Sequence, residues 1–151
     1  MLNIDKEKVS KYELFQRLND EELDKVLSCC NEMTCQPGQV IIQESILGPK
    51  IYLILKGQAS VEIEFKNMPG SQAIATLGEG DFFGEYCFLE DKPRTAQVTA
   101  VDEVQILKID NQALNGLMEE DHHIGYLVCR NLATVLSQRL FETNIKLRDK
   151  E

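Results

Sequence analysis

Gly84, Glu85 and Arg94 fall within one short stretch, Phe82 to Ala96, and bring together a flexible backbone, a carboxylate and a guanidinium. Arginine presents a planar fork of donors that matches paired phosphate oxygens and stays charged at any physiological pH. A carboxylate accepts strongly from a hydroxyl, so Glu85 suits a ribose 2′-OH. Gly84 lets the backbone come close, and a helical turn starting there would aim its free N–H groups at an anion. The set suits a cyclic phosphodiester fused to ribose, whose remaining handle is a flat base.

The elements that must position these residues can be read from periodicity. Ser10-x-x-Glu13 and Asn19-x-x-Glu22 have the form of capping boxes, predicting short helices over about residues 11–17 and 20–30, with Leu23, Val26 and Leu27 buried. After Pro37-Gly38 the period changes. Val61, Ile63 and Phe65 alternate with Glu62 and Glu64, as in a strand with one wet face. Asn67 to Ser71 should be a hairpin loop and Gln72 to Leu77 the returning strand. From Asp110 the helical period returns: Asp110 can cap a helix carrying Leu114, Leu117 and Met118. Asp121 can start a longer one that aligns Ile124, Leu127, Val128, Leu132, Val135, Leu136, Leu140, Phe141 and Ile145 on one apolar face. That face is wider than a small barrel needs.

The stretch Phe82-Phe83-Gly84-Glu85-Tyr86-Cys87-Phe88-Leu89-Glu90-Asp91-Lys92-Pro93-Arg94-Thr95-Ala96 resembles the phosphate-binding cassette of the cyclic nucleotide-binding domain family. The resemblance extends over nearly the whole chain, through Leu14-Phe15, Pro37 to Ile42, Ile51 to Gly57 and Val104 to Ile109. It implies an α+β, mainly β fold: an antiparallel jelly-roll, or double-stranded β-helix, barrel flanked by N-terminal helices and a long C-terminal helix. One domain would span 1–151, with helices over 1–35, barrel strands over 36–109 containing the cassette at 82–96, and helices over 110–151.

The resemblance also implies a site. Arg94, Thr95, Ala96 and Cys87 would hold the phosphate, and Glu85, Gly84 and Tyr86 the ribose. Val61, Ala75 and Leu77 would form the wall for the base. The ligand would be cyclic AMP or cyclic GMP, with no cofactor; the Thr95 hydroxyl could meet a guanine edge, as in cyclic-GMP-responsive relatives, though a hydroxyl here also occurs in cyclic-AMP binders. Tyr86 is larger than the compact aliphatic residue usual after the glutamate, and Glu90 and Asp91 precede the arginine. The last helix would lid the base, or pair with a protein partner or a twin in a homodimer. Because the chain stops at Glu151, output is expected to pass through such a partner, through self-association or through a larger protein. The alternative is a docking module that keeps the fold without responding to nucleotide, Arg94 then pairing with Glu85, Glu90 or Asp91.

Composition bounds the remaining classes. A net charge of −9, from 25 acidic and 16 basic residues, repels nucleic acid. Five cysteines, Cys29, Cys30, Cys35, Cys87 and Cys129, are odd in number and lack CxxC spacing, which fits free thiols and a cytoplasmic setting. Met1 to Lys8 is charged too early for a signal-peptide core, and no apolar run reaches membrane-spanning length. An enzyme is not expected. His122 and His123 are adjacent, so on a helix their side chains diverge by about 100° and suit no shared metal. No Gly-x-Ser-x-Gly elbow, Walker loop or dinucleotide fingerprint occurs.

Overall fold

The structure is a computed structural model that describes residues 4–42, 50–67, 69–84 and 96–149. The chain begins with helix α1 (Lys6–Val9), a 3-10 turn (Glu13–Phe15) and helix α2 (Asp20–Leu27). Eight strands follow: β1 (Cys30–Cys35), β2 (Val40–Ile42), β3 (Lys50–Lys56), β4 (Ala59–Glu64), β5 (Ser71–Leu77), β6 (Phe82–Phe83), β7 (Gln97–Ala100) and β8 (Val104–Asp110). Helices α3 (Asn111–Glu120) and α4 (His122–Asp149) end it.

Local chemistry accounts for most of the helix starts. Asn19 and Glu22 form a reciprocal capping box: Glu22 N donates to Asn19 Oδ1 at 2.8 Å and Asn19 N to Glu22 Oε1 at 3.1 Å. Asp110 accepts from the amides of Gln112 and Ala113, and Asp121 from that of Ile124. Ser10 behaves otherwise, closing α1 and donating to Glu7 O at 2.7 Å. Asp5 has already capped α1 upstream, and Arg17 takes a left-handed φ of 71°, so the helix expected near 11–17 is a single 3-10 turn. Strand β1 starts at Cys30, inside the segment expected to be helical, because all six of its residues pair with β8, from Cys30 against Ile109 to Cys35 against Val104.

The strands form two antiparallel four-stranded sheets, in the orders β1-β8-β3-β6 and β2-β7-β4-β5. This corrects the expectation of a barrel: among the described residues no ladder joins the sheets. One edge of each sheet is short, since β6 has two residues and β2 has three, and neither offers a long ladder. The other two edges, β1 and β5, have six and seven residues and each pairs with one strand of its own sheet alone. Nor is the fold mainly β, since helices hold more of the described residues than strands do.

Two cores follow from this layering. Leu53, Phe82, Leu107 and Ile109 of the first sheet pack with Phe15, Leu27, Ile124, Val128 and Leu132 of the helices. Cys35, Ile54, Phe83 and Ile106 face Ala59, Val98 and Ala100 of the second sheet. Alternation along β8 and β6 sends neighbouring residues into different cores, as a period of two requires. Across the helical layer, Asn131 is buried and its Nδ2 donates to Leu14 O at 2.9 Å and Gln16 O at 3.0 Å, tying α4 to the 3-10 turn.

Candidate functional site

A cavity of about 560 Å³ lies between the second sheet and α4. Its sheet side comprises Val61, Ala75, Thr76, Leu77 and Val98, its floor runs through Phe82, Phe83 and Gly84, and α4 closes it with Val135, Gln138, Arg139, Glu142, Thr143 and Lys146. The volume is within the usual range for small-ligand pockets, about 300–1,000 Å³.

The strand register places the apolar wall. Val61 pairs directly with Ala75 on one side and with Val98 on the other, and Ala59 pairs with Leu77. A bulge follows Val61, where Glu62 pairs with Ala73 and Ile74 is passed over. Bulges re-aim side chains; here Ile74 is exposed while Ala75 and Leu77 border the cavity.

The turn into β6 is held from several directions. Gly80 N donates to Ile54 O, Ile54 N to Asp81 O, and Gly78 N to Asp81 Oδ2. Tyr12 Oη donates to Glu79 Oε1 at 3.0 Å, and Lys8 Nζ meets the same carboxylate oxygen at 2.5 Å. Lys8 first and Tyr12 second hold the Glu79 carboxyl below its ordinary value. Burial, then the bond to Glu79, pushes the Tyr12 phenol up to about 12. A Cβ on Gly80 would press against the Tyr12 ring at 3.2 Å, so a glycine fits there. Within β6, Phe83 stacks on Tyr52 with centroids 5.4 Å apart.

Of the residues singled out from sequence, Val61, Ala75, Leu77, Gly84 and Ala96 all border this one cavity. Glu85, Tyr86, Cys87, Glu90, Asp91, Arg94 and Thr95 lie outside the described residues. Gly84 is the last described residue before them and has the positive φ that favours glycine. Sequence reasoning missed the polar contribution of α4, namely Gln138, Arg139, Glu142, Thr143 and Lys146. A signal existed: Gln138 and Glu142 follow Val135 by three and seven positions, which keeps them on its face. Glu13, Asp81 and Glu142 bring carboxylates to the described lining, against Arg139 and Lys146.

The two histidines sit far from the cavity's polar groups. His122 is exposed, and His123 Nδ1 contacts Glu22 Oε2, joining the start of α4 to α2. That contact is the largest influence holding the Glu22 carboxyl below its ordinary value, and the Asn19 amide adds to it. Among the described residues, no group of three or more His, Cys, Asp or Glu side chains is placed to hold a metal ion. Cys29, Cys30, Cys35 and Cys129 are free thiols, and burial pushes the Cys30 thiol up to about 12. No helix among the described residues is long and apolar enough to cross a membrane.

Two facing antiparallel sheets, with a cavity on one of them roofed by a terminal helix, define a small-ligand-binding module. The family model described as the cyclic nucleotide-binding domain matches residues 32–121, and the chain belongs to that family. It is 31% identical over 136 residues to the cyclic AMP receptor protein of Thermus thermophilus, covering 89% of this chain and 60% of that protein. A cAMP-dependent protein kinase regulatory subunit of Dictyostelium discoideum is 27% identical over 130 residues, with 83% of this chain and 38% of the relative covered. Among solved structures, a cyclic nucleotide-binding domain from Methylobacillus flagellatus superposes with a TM-score of 0.85 at 26% identity, over 96% of this chain and 81% of that one. The chain therefore spans 60% or less of the length of these two curated relatives.

Proposed function

We propose that this chain is a cytoplasmic sensor domain for cyclic AMP or cyclic GMP that signals through α4. Arg94 captures the phosphate, assisted by Thr95, Ala96 and Cys87; Glu85 accepts from the ribose 2′-OH beside Gly84 and Tyr86; Val61, Ala75 and Leu77 flank the base. The observation that carries this reading is the cavity itself. The three apolar residues assigned to the base border one cavity with Gly84 and Ala96, the two described residues that flank the segment holding Glu85 and Arg94. Charge supports it as well: the described lining mixes acidic and basic groups, so an anionic ligand needs the additional guanidinium of Arg94.

Output passes through α4 to a protein partner or to a second copy of the chain. Tyr126, Leu136, Leu140, Phe141 and Leu147 are exposed on this helix, and Tyr126, Leu140 and Leu147 recur at multiples of seven positions. Such spacing suits a helix-to-helix seam. The same exposed face favours a second reading, a docking module that does not respond to nucleotide.

Calorimetric titration of the nucleotide-stripped chain with cyclic AMP, cyclic GMP and 5′-AMP tests the two readings. The sensor binds a cyclic nucleotide saturably and ignores 5′-AMP; at a hundredfold excess over Kd the ligand adds about 2.7 kcal/mol of stability. Arg94→Ala abolishes that binding without unfolding the domain, and Glu85→Ala weakens it and relaxes the preference for ribose over deoxyribose. Absence of heat with either cyclic nucleotide, together with an unchanged Tm, selects the docking module.

A further inference from the structure

One of the four sheet edges is long and carries no charge. β5 pairs with β4 alone among the described residues, so its other side presents unpaired backbone N–H and C=O groups. Its seven residues, Ser71 to Leu77, include no Lys, Arg, Asp, Glu or Pro, the residues that ordinarily blunt such an edge. The other edges differ: β2 and β6 have three and two residues, and β1 carries Glu32. In the middle of β5 stands Ile74, 47% exposed, at the bulge where the pairing with β4 passes it over.

The strand is close to self-complementary about that residue. Ser71 to Ala73 pair regularly with Glu62 to Glu64 on one side of it, and Ala75 to Leu77 pair regularly with Ala59 to Val61 on the other. Run antiparallel against a second copy about a two-fold axis at Ile74, β5 sets Ile74 opposite Ile74, Ala73 opposite Ala75 and Gln72 opposite Thr76. Both copies then carry their bulge at the axis, and a regular half of one strand meets a regular half of the other. The two isoleucines become directly opposed neighbours on one face, where apolar pairs stabilise a ladder.

A net charge of −9 opposes self-association of this chain, but little of it acts at this edge. Glu62 pairs with Ala73, so the Glu62 carboxylates of two joined copies are three strand spacings apart, about 14 Å, beyond the Debye length of about 10 Å at 0.1 M salt. Glu64, paired with Ser71, is carried by the antiparallel register to the opposite end from its counterpart.

We propose that the open edge of β5 is a self-association surface, through which two copies of the chain join their four-stranded second sheets into one continuous antiparallel sheet. The contact is separate from the exposed face of α4 and does not depend on the reading of the cavity.

Cross-linking of the whole chain tests it. In a Cys129→Ser background, which removes the exposed thiol, Ile74→Cys opposes two thiols whose Cα atoms stand about 4.5–5.5 Å apart, within disulfide reach. Oxidised glutathione then yields a covalent dimer. Thr76→Cys in the same background yields no more dimer than Cys129→Ser alone, because the two copies of that position lie about 14 Å apart along the strands. Mixing Thr76→Cys with Gln72→Cys restores the dimer, since the register opposes those two. Sedimentation equilibrium gives a reading without added cysteine. Ile74→Lys lowers the association constant by about fivefold or more, although it reduces the net negative charge, because two ammonium groups meet at the axis. Leu140→Ala, on α4, leaves the cross-link at position 74 intact. No more dimer from Ile74→Cys than from Thr76→Cys overturns the proposal, as does unaltered association in Ile74→Lys. So does a chain that stays monomeric at every concentration, which would leave the edge to an extended segment of another protein. If Ile74→Lys does not fold, the cross-linking comparison decides.

Discussion

The two halves of α4 are one continuous helix in two environments. From Ile124 to Val135 it is part of the core: Ile124, Leu127, Val128, Asn131, Leu132 and Val135 are buried, and its start is tied to α2 through His123 and Glu22. Beyond Val135 the helix borders the cavity on one side and solvent on the other, with Leu140 63% and Phe141 65% exposed. Apolar residues therefore do two kinds of work within 28 residues. In the first half they contribute folding free energy; in the second they remain available to a ligand or a partner, at no structural cost to the fold when displaced.

The largest effect that contrasts the halves is truncation of the core side. Ile124→Ala leaves a cavity at a fully buried position and costs about 2–5 kcal/mol, read as a lower midpoint in urea with an unchanged slope. A loss below 1 kcal/mol would mean that α4 is no better anchored at its start than at its end. Next comes Asn131→Ala, which strips the donor from the carbonyls of Leu14 and Gln16 and costs about 1–3 kcal/mol in the same measurement.

Acid sharpens the comparison without a cavity. The Glu22 carboxyl is held below its ordinary value by His123 first and by the Asn19 amide. Its stabilisation is therefore complete above the unfolded carboxyl value, about 4.3, and is lost as pH falls through the lower folded one. Tm measured downward from pH 5 should fall less steeply in Glu22→Gln than in the unmodified chain; parallel slopes would remove Glu22 from the anchor. The smallest effect is expected at the far end. Leu140→Ala should change stability by no more than about 0.5 kcal/mol while reducing self-association or partner capture in sedimentation. A loss comparable to Ile124→Ala would erase the distinction between the halves.

The same contrast shows what a linear reading of α4 can and cannot reveal. Ile124, Leu127, Val128, Leu132 and Val135 are legible because a buried helix face repeats every three to four residues. Leu136, Leu140 and Phe141 extend that stripe by composition alone, and nothing local distinguishes an apolar residue that meets a sheet from one that meets water. Caps at Asn19, Asp110 and Asp121 are legible because their partners lie within three residues. The separation into two sheets was not, since it depends on which strand edges remain unpaired. Likewise Val61 and Ala75 could be placed on one wall, whereas the bond from Arg139 to Phe82 spans 57 positions and has no counterpart in any local pattern.

The order of the first sheet, β1-β8-β3-β6, has a consequence for synthesis. β8 lies between β1 and β3, pairing Cys30 with Ile109 on one side and Leu53 with Leu107 on the other. The strand that joins the other two is therefore the last of the eight to leave the ribosome. Until Val104 to Asp110 emerges, β1 and β3 expose unpaired edges and the apolar residues that later pack against the helices. Closure of loops this long makes folding slow, and the growing chain must stay soluble through that interval. A chain stalled before Val104 should accordingly be captured by chaperones, whereas one stalled well past Asp110 should not.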